Sequence, residues 1–281
     1  MDRANRLNGK SAAKSAPVNA ADPIGGIRPG CGIAFMAKAS APGRAKTRLV
    51  PPLTFEEAAA LNTAFLQDVA DNVLAAANLA GIAGYAAFGP SGSEDFFRRT
   101  LPPAIGLIEA WLPNFGDCLY RTIEQILARG HDAAVVLNAD SPTLPTAFLV
   151  ETAEVLARPG DRAVLGPSSD GGYYLLGLKT AHRAMFHDIA WSTERVAAQT
   201  LERAREIGLE VHRLPVWYDV DAVDDLKRLR AELNGGAERQ PSDRDAPHRA
   251  AHTAALLETL WRDRDFHLRA AKLFPAEALR A

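Results

Sequence analysis

Short apolar runs alternate with longer amphipathic stretches along this chain, and the alternation begins at Cys31. Cys31-Gly-Ile-Ala-Phe-Met-Ala37 is almost continuously apolar, the pattern of a strand covered on both faces of a sheet. A polar loop follows from Lys38 to Pro52. Thr54-Phe-Glu-Glu57 then has the form of a capping box, with Thr54 as N-cap and Glu57 as its reciprocal partner. Leu61, Phe65, Val69 and Val73 recur every four residues behind it, with Leu66 beside them, and predict the buried stripe of a long helix.

The alternation then repeats. Strands are predicted at 82–88, 105–110, 133–137, 163–166, 173–178 and 209–214, and helices at 93–99, 117–129, 145–157, 193–207 and 223–233. The segment 133–137 holds no polar residue, which suits a central strand. The two strands around Gly171-Gly172 are joined by a link too short for a parallel crossover, so they are expected to run antiparallel. Strands alternating with helices imply an α/β domain over 30–233: a mostly parallel twisted sheet, helices on both faces and one antiparallel strand.

Composition changes at the two ends. Residues 1–29 carry five basic and two acidic side chains among Asn, Ser, Gly and Pro, and are read as a disordered extension with no signal-like apolar run. Residues 234–249 read as a polar linker. The extension 250–281 opens with a helix whose stripe Leu256, Leu257 and Leu260 would dock on the main domain or on a second copy, giving a homodimer. A net charge of −2 gives no attraction to nucleic acid, and no apolar run approaches the ~20 residues of a membrane span. Cys31 and Cys118 make neither a disulfide framework nor a thiolate zinc site. They are expected to be buried thiols in the cytoplasm.

In an open α/β sheet, ligands sit beyond the carboxyl ends of the strands. The loop after the first strand offers Lys38, Arg44, Lys46 and Arg48 with no acid among them, a composition suited to a diphosphate. It is neither a Walker loop nor a dinucleotide fingerprint. Asp140 follows the all-apolar strand and either takes part in helix capping or binds Mg2+ or Mn2+, which favour carboxylate oxygens. Asp170-Gly171-Gly172-Tyr173 permits close backbone approach to a ligand or forms a tight turn. Asp219 and Asp221 lie two apart, hence on one side of an extended segment, and form a second metal candidate. Asp221 is equally an N-cap candidate, with Asp224 and Asp225 as first-turn acids. The seven histidines are scattered, and neither G-x-S-x-G nor H-E-x-x-H occurs.

Five stretches together resemble a known family. They are Ala37–Leu49, Asp140-Ser-Pro-Thr-Leu-Pro145, Leu165–Leu178 around Asp170-Gly-Gly-Tyr-Tyr174, Ile189-Ala-Trp-Ser-Thr193 and Trp217-Tyr-Asp-Val-Asp221, in that order. The chain is similar over 31–233 to a bacterial glycosyltransferase group linked to arsenosugar biosynthesis and radical-SAM/selenodomain gene neighbourhoods. That group lies in the nucleotide-diphospho-sugar transferase superfamily with the GT-A fold. The resemblance implies that Lys38, Pro42, Gly43, Lys46, Thr47, Arg48 and Asn138 hold the nucleotide and its phosphates. It implies Asp140, Asp219 and Asp221 as ligands of Mg2+ or Mn2+, and Asp140 with Asp170 as the catalytic carboxylates. Gly171, Gly172, Tyr173, Trp191 and Ser192 would face the sugar or acceptor. Ser40 and Asn138 depart from the family's usual proline and glycine, and Asp117–Arg121 only loosely matches one of its segments.

The implied activity is metal-dependent transfer from a nucleotide sugar to a small-molecule acceptor. Two alternatives use the same residues: a nucleotidyltransferase that joins an NTP to a phosphorylated acceptor, and a noncatalytic nucleotide-binding partner protein.

Overall fold

The structure, a computed structural model, describes residues 30–235 and 245–273. The extension expected over 1–29 and most of the 234–249 linker lie outside the described residues. Seven strands form one sheet: β1 (Cys31–Lys38), β2 (Ile82–Gly89), β3 (Gly106–Glu109), β4 (Ala133–Leu137), β5 (Arg162–Pro167), β6 (Tyr173–Leu178) and β7 (Glu210–Arg213). Their order is β3-β2-β1-β4-β6-β5-β7. Every pairing is parallel except those of β6, which runs antiparallel to both β4 and β5. The expected fold is the one formed, including its single reversed strand.

Alternating side chains of the strands feed two cores. Ile33, Phe35, Val135 and Leu137 pack with α1 (Phe55–Ala77), α2 (Glu94–Thr100) and α4 (Thr146–Ala157). Ala34, Val136, Leu165 and Leu176 pack with α3 (Phe115–Ala128) and α5 (Val196–Glu206) on the opposite face. The strand sequences are apolar on both sides because both sides are covered. The α1 stripe behaves as its spacing requires: Leu61, Phe65, Val69 and Val73 are all buried, and Thr54 and Glu57 form the capping box at its start. Burying a single Leu or Phe of this kind contributes about 1.5–3 kcal/mol.

Two helix starts differ from the periodicity. Helix α3 begins at Phe115 rather than 117, because the Asn114 side chain accepts the Asp117 N–H at 3.2 Å and caps the helix early. Helix α5 begins at Val196 rather than 193. The Thr193 hydroxyl donates to Ala190 O at 2.7 Å and receives the Arg195 N–H at 3.3 Å, which keeps 193–195 in a turn.

A third cluster lies outside the two-faced sheet. It joins Leu49 and Leu53, the outer side of α1, Tyr218 and Val220, α6 (Val223–Leu233), α7 (Ala251–Arg262) and α8 (Arg264–Ala270). The carboxylate of Asp68 on α1 accepts the N–H groups of His252 (2.9 Å) and Thr253 (2.8 Å), capping α7 from another helix. Leu257 and Leu260 are buried against their own chain. Of the two surfaces expected to receive this stripe, the main domain is the one that does, and a dimer would need other residues.

Candidate active site

The order of the strands reverses between β1 and β4, and the carboxyl ends of these two strands open into a cleft of about 670 Å3. That is the position and size of a small-ligand site in a doubly wound sheet. Lys38 continues β1 into one wall, and Asn138 and Asp140 follow β4 into the floor. Residues 168–172, between β5 and β6, bring Ser168, Asp170 and Gly172, and the start of β6 brings Tyr173. The segment before α5 brings Trp191 and Ser192, and the segment after β7 brings Asp219 and Asp221.

Local hydrogen bonds set this arrangement. Residues 217–221 run alongside 167–169: Trp217 N–H donates to Pro167 O at 3.1 Å, and Ser169 N–H to Trp217 O at 2.9 Å. The Val220 N–H donates to Asp140 O at 2.9 Å, and the Ser141 hydroxyl to Tyr218 O at 2.8 Å. Extended backbone then sends Tyr218 and Val220 into the core and Asp219 and Asp221 into the cleft, as their spacing requires. Asp225 accepts the N–H groups of Asp221 (3.1 Å) and Ala222 (2.7 Å), so α6 is capped by Asp225 and not by Asp221. The Asp221 carboxylate is left for the cleft.

Lys46 is the most deeply committed of the candidates. Its ammonium lies 2.6 Å from Asp140, 2.9 Å from Asp221 and 2.7 Å from Val220 O, and 5.3 Å from the centre of the Phe65 ring. The Lys46 side chain is 5% exposed. Burial alone would lower its pKa, but the two carboxylates outweigh burial and raise it. Left-handed backbone at Lys46 (φ 49°) turns the side chain back toward the sheet. The sequence placed Lys46 among phosphate ligands; here it points to the acids instead, which with Val220 O offset its burial. Arg48 reaches Asp221 only at 3.9 Å and is 78% exposed, and Lys38 and Arg44 are also exposed at the mouth.

Four aspartates, Asp140, Asp170, Asp219 and Asp221, share the cleft, and Glu194 also lines it. Burial first, and then the neighbouring charges of Asp170 and Asp221, push the Asp219 carboxyl up to about 6. Asp170 accepts the Gly172 N–H at 2.9 Å. These oxygens are of the type that Mg2+ and Mn2+ take. Among the described residues, however, no three His, Cys, Asp or Glu side chains converge to hold an ion. The expected set Asp140, Asp219 and Asp221 does not fit a metal as arranged, since the Lys46 ammonium bridges two of the three.

Pro42 and Gly43 form an exposed turn outside the cleft wall, while Thr47 lines it. Gly171 serves packing: at φ 90° a Cβ there would lie 2.1 Å from Glu194 O. Ser40 receives hydrogen bonds from Asn62 (2.8 Å) and Thr63 (2.8 Å) of α1, which anchors the loop without the usual proline. The Asn138 Oδ1 is buried with no hydrogen bond. Phe115 escaped the sequence reading. It packs edge-on against Trp191 at 5.4 Å, and Tyr173 also meets Trp191 edge-on at 6.4 Å, making an aromatic wall. The signal was Asn114, three residues before Asp117, which would have started α3 early enough to bring Phe115 to the cleft.

Fold and cleft together are those of an α/β protein with a nucleotide-diphospho-sugar-transferase-like fold. The chain is similar to a "putative nucleotide-diphospho-sugar transferase" of Desulfovibrio desulfuricans G20, at 26% identity and TM-score 0.70, covering 85% of this chain and 97% of that one. Residues 72–193 match the family model described as "Uncharacterized protein conserved in bacteria (DUF2064)". Fainter likenesses include a cytidylyltransferase of Leptospira borgpetersenii (9% identity, TM-score 0.47, covering 84% and 96%). Another is Rv0371c of Mycobacterium tuberculosis H37Rv, crystallised with manganese (18%, TM-score 0.39, covering 71% and 96%). No curated protein matches the chain.

Proposed function

We propose that this protein transfers a sugar from a nucleoside-diphosphate sugar to a small-molecule acceptor. The observation that carries the reading is the cleft at the strand-order reversal, with exposed cations at its mouth and four aspartates inside. The likeness to the Desulfovibrio protein over most of both chains supports it, as do the five motifs shared with the arsenosugar-linked glycosyltransferases.

The residues divide the work by charge. Lys38, Arg44 and Arg48, with the Thr47 hydroxyl and loop N–H groups, take the diphosphate oxygens and stabilise the negative charge that builds as it leaves. The unpaired Asn138 acceptor suits a ribose hydroxyl at the cleft floor. Phe115, Tyr173 and Trp191 offer ring faces to the acceptor or sugar. The acceptor oxygen bonds to the anomeric carbon, the bond from that carbon to the phosphate oxygen breaks, and Asp170 takes the acceptor proton. Mg2+ or Mn2+, expected from the resemblance, is the part of the reading that Lys46 opposes, and no step is assigned to it.

A thermal-shift screen of UDP-, GDP-, CDP- and TDP-sugars, followed by calorimetry, tests the reading. One donor is expected to bind, at least tenfold more weakly when Arg44 and Arg48 are both changed to Ala. Release of nucleoside diphosphate identifies glycosyl transfer, whereas pyrophosphate release from an NTP identifies nucleotidyl transfer. A chain that binds no nucleotide, or binds it regardless of the loop cations, rejects the proposal.

A further inference from the structure

We infer that the Lys46 ammonium is the resident cation of this cleft, and that it and a divalent ion are mutually exclusive at Asp140 and Asp221. Three observations carry this. An ammonium has three N–H donors and no acceptor, and Lys46 has three acceptors within 2.9 Å: Asp140, Asp221 and Val220 O. Its donors are therefore fully used, and none is left for a phosphate. The side chain is almost wholly buried and rests against the Phe65 ring, so it is built into the site. Finally, Lys46 stands between carboxylates from two separate segments, 81 positions apart in sequence, where an ion bridging them would have to sit.

The consequence is a choice. With Lys46 in place, each carboxylate already has its cation, and a divalent ion entering between them would meet a positive charge at close range. With Lys46 removed, Asp140 and Asp221 face each other uncompensated, Asp219 and Asp170 add to the negative field, and the site gains every electrostatic reason to take an ion. The segment that carries Lys46 also carries Arg48 and Thr47 at the cleft mouth. A ligand that drew this loop outward would release the acids in the same movement.

This inference deepens the proposed reading of the site and depends on that reading only for the site's purpose. Its test therefore contains no nucleotide. Free Mn2+ is titrated into the full chain and followed by the electron paramagnetic resonance of the unbound ion, in wild type, Lys46→Met and Lys46→Met with Asp140→Asn. Wild type is expected to bind Mn2+ no tighter than millimolar. Lys46→Met is expected to bind it at least tenfold more tightly, with Mn2+ raising the melting temperature of that variant alone, and the double variant to lose the gain. Equal Mn2+ affinity in wild type and a folded Lys46→Met overturns the inference. So does micromolar binding by wild type that Asp140→Asn abolishes, a result that needs no Lys46 variant. Should Lys46→Met not fold, Lys46→Gln, which keeps length and polarity without charge, takes its place. Failure to find a nucleotide donor would reject the transferase reading and leave the Mn2+ result standing.

Discussion

Asp219 shows how much a single side chain's setting decides. It lies on the side of its segment that faces Asp170 and Asp221, and burial with these neighbours raises its carboxyl to about 6 from an ordinary 3.8. A raised acid opposes folding once it ionises. Between roughly pH 4 and pH 6 the native chain holds a proton that the unfolded chain has given up, so stability falls as pH rises through that window and stays lower above it. Asp219→Asn, studied in the presence of a chelator, is expected to be more stable than wild type at pH 7.5, by about 1 kcal/mol once partial exposure is allowed for. At pH 3.5 the gain should vanish. Urea unfolding at the two pH values checks this, and equal stabilities at pH 7.5 would mean that the cleft does not crowd its charges.

Elements were the most legible level. Continuous apolar runs marked strands covered on both faces, and four-residue spacing marked the buried stripe of α1, because both patterns follow from the local geometry of the backbone. The cleft's acids were legible for the same reason: Asp140 follows an apolar strand, and Asp219 and Asp221 share a side by alternation. What the sequence hid is long-range. Lys46 meets Asp221 across 175 positions, and a left-handed backbone turns it inward, so its place in a cationic loop pointed to phosphate instead. The sequence offered two docking surfaces for α7 and hid its cap, since its N-terminal N–H groups find their acceptor in Asp68 of a helix far upstream. That junction titrates. The His248 backbone N–H donates to Thr143 O at 3.1 Å, and burial, acting against the Pro142 carbonyl beside Nδ1 and the nearby Asp68 and Asp71, lowers the imidazole's pKa below 6.5. A depressed base favours the neutral folded form, so its contribution is whole above pH 6.5 and is lost as pH falls through the native value. The melting temperature is expected to drop more between pH 7 and pH 5 in wild type than in His248→Gln. Parallel curves would show that the junction carries no such linkage.

At the scale of the whole molecule, the cleft and the C-terminal helices are two sides of one loop. The segment carrying Lys46 and Arg48 turns Leu49 and Leu53 away from the cleft, into the cluster shared with Phe65, Tyr218 and Phe266 of α8. From α8, Arg269 donates to Pro52 O at 2.7 Å and to both Glu57 oxygens at 2.6 and 2.7 Å. Glu57 in turn accepts the Thr54 N–H at 2.8 Å in the capping box of α1. The end of the cationic loop, the start of α1 and the last described helix are thus tied through one guanidinium, whose planar fork suits a carboxylate and a carbonyl together. Arg269→Ala leaves the capping box its own partners and removes this tie, along with the guanidinium's place 5.8 Å from the centre of the Phe266 ring. It should cost about 1.5–3 kcal/mol of stability, the range for hydrogen bonds to charged groups. It should also weaken nucleotide-sugar binding severalfold, although Arg269 does not line the cleft. The control is Arg262→Ala: Arg262 pairs with Glu258 on the exposed side of α7 and is 77% exposed, so neither quantity should change. Melting curves and calorimetry on the three proteins separate the outcomes. Lost stability with unchanged affinity would make α8 a brace for the fold alone. A parallel loss of both would mean that the C-terminal helices hold the loop in the shape that receives a diphosphate, which is what their packing against Leu49 and Leu53 implies.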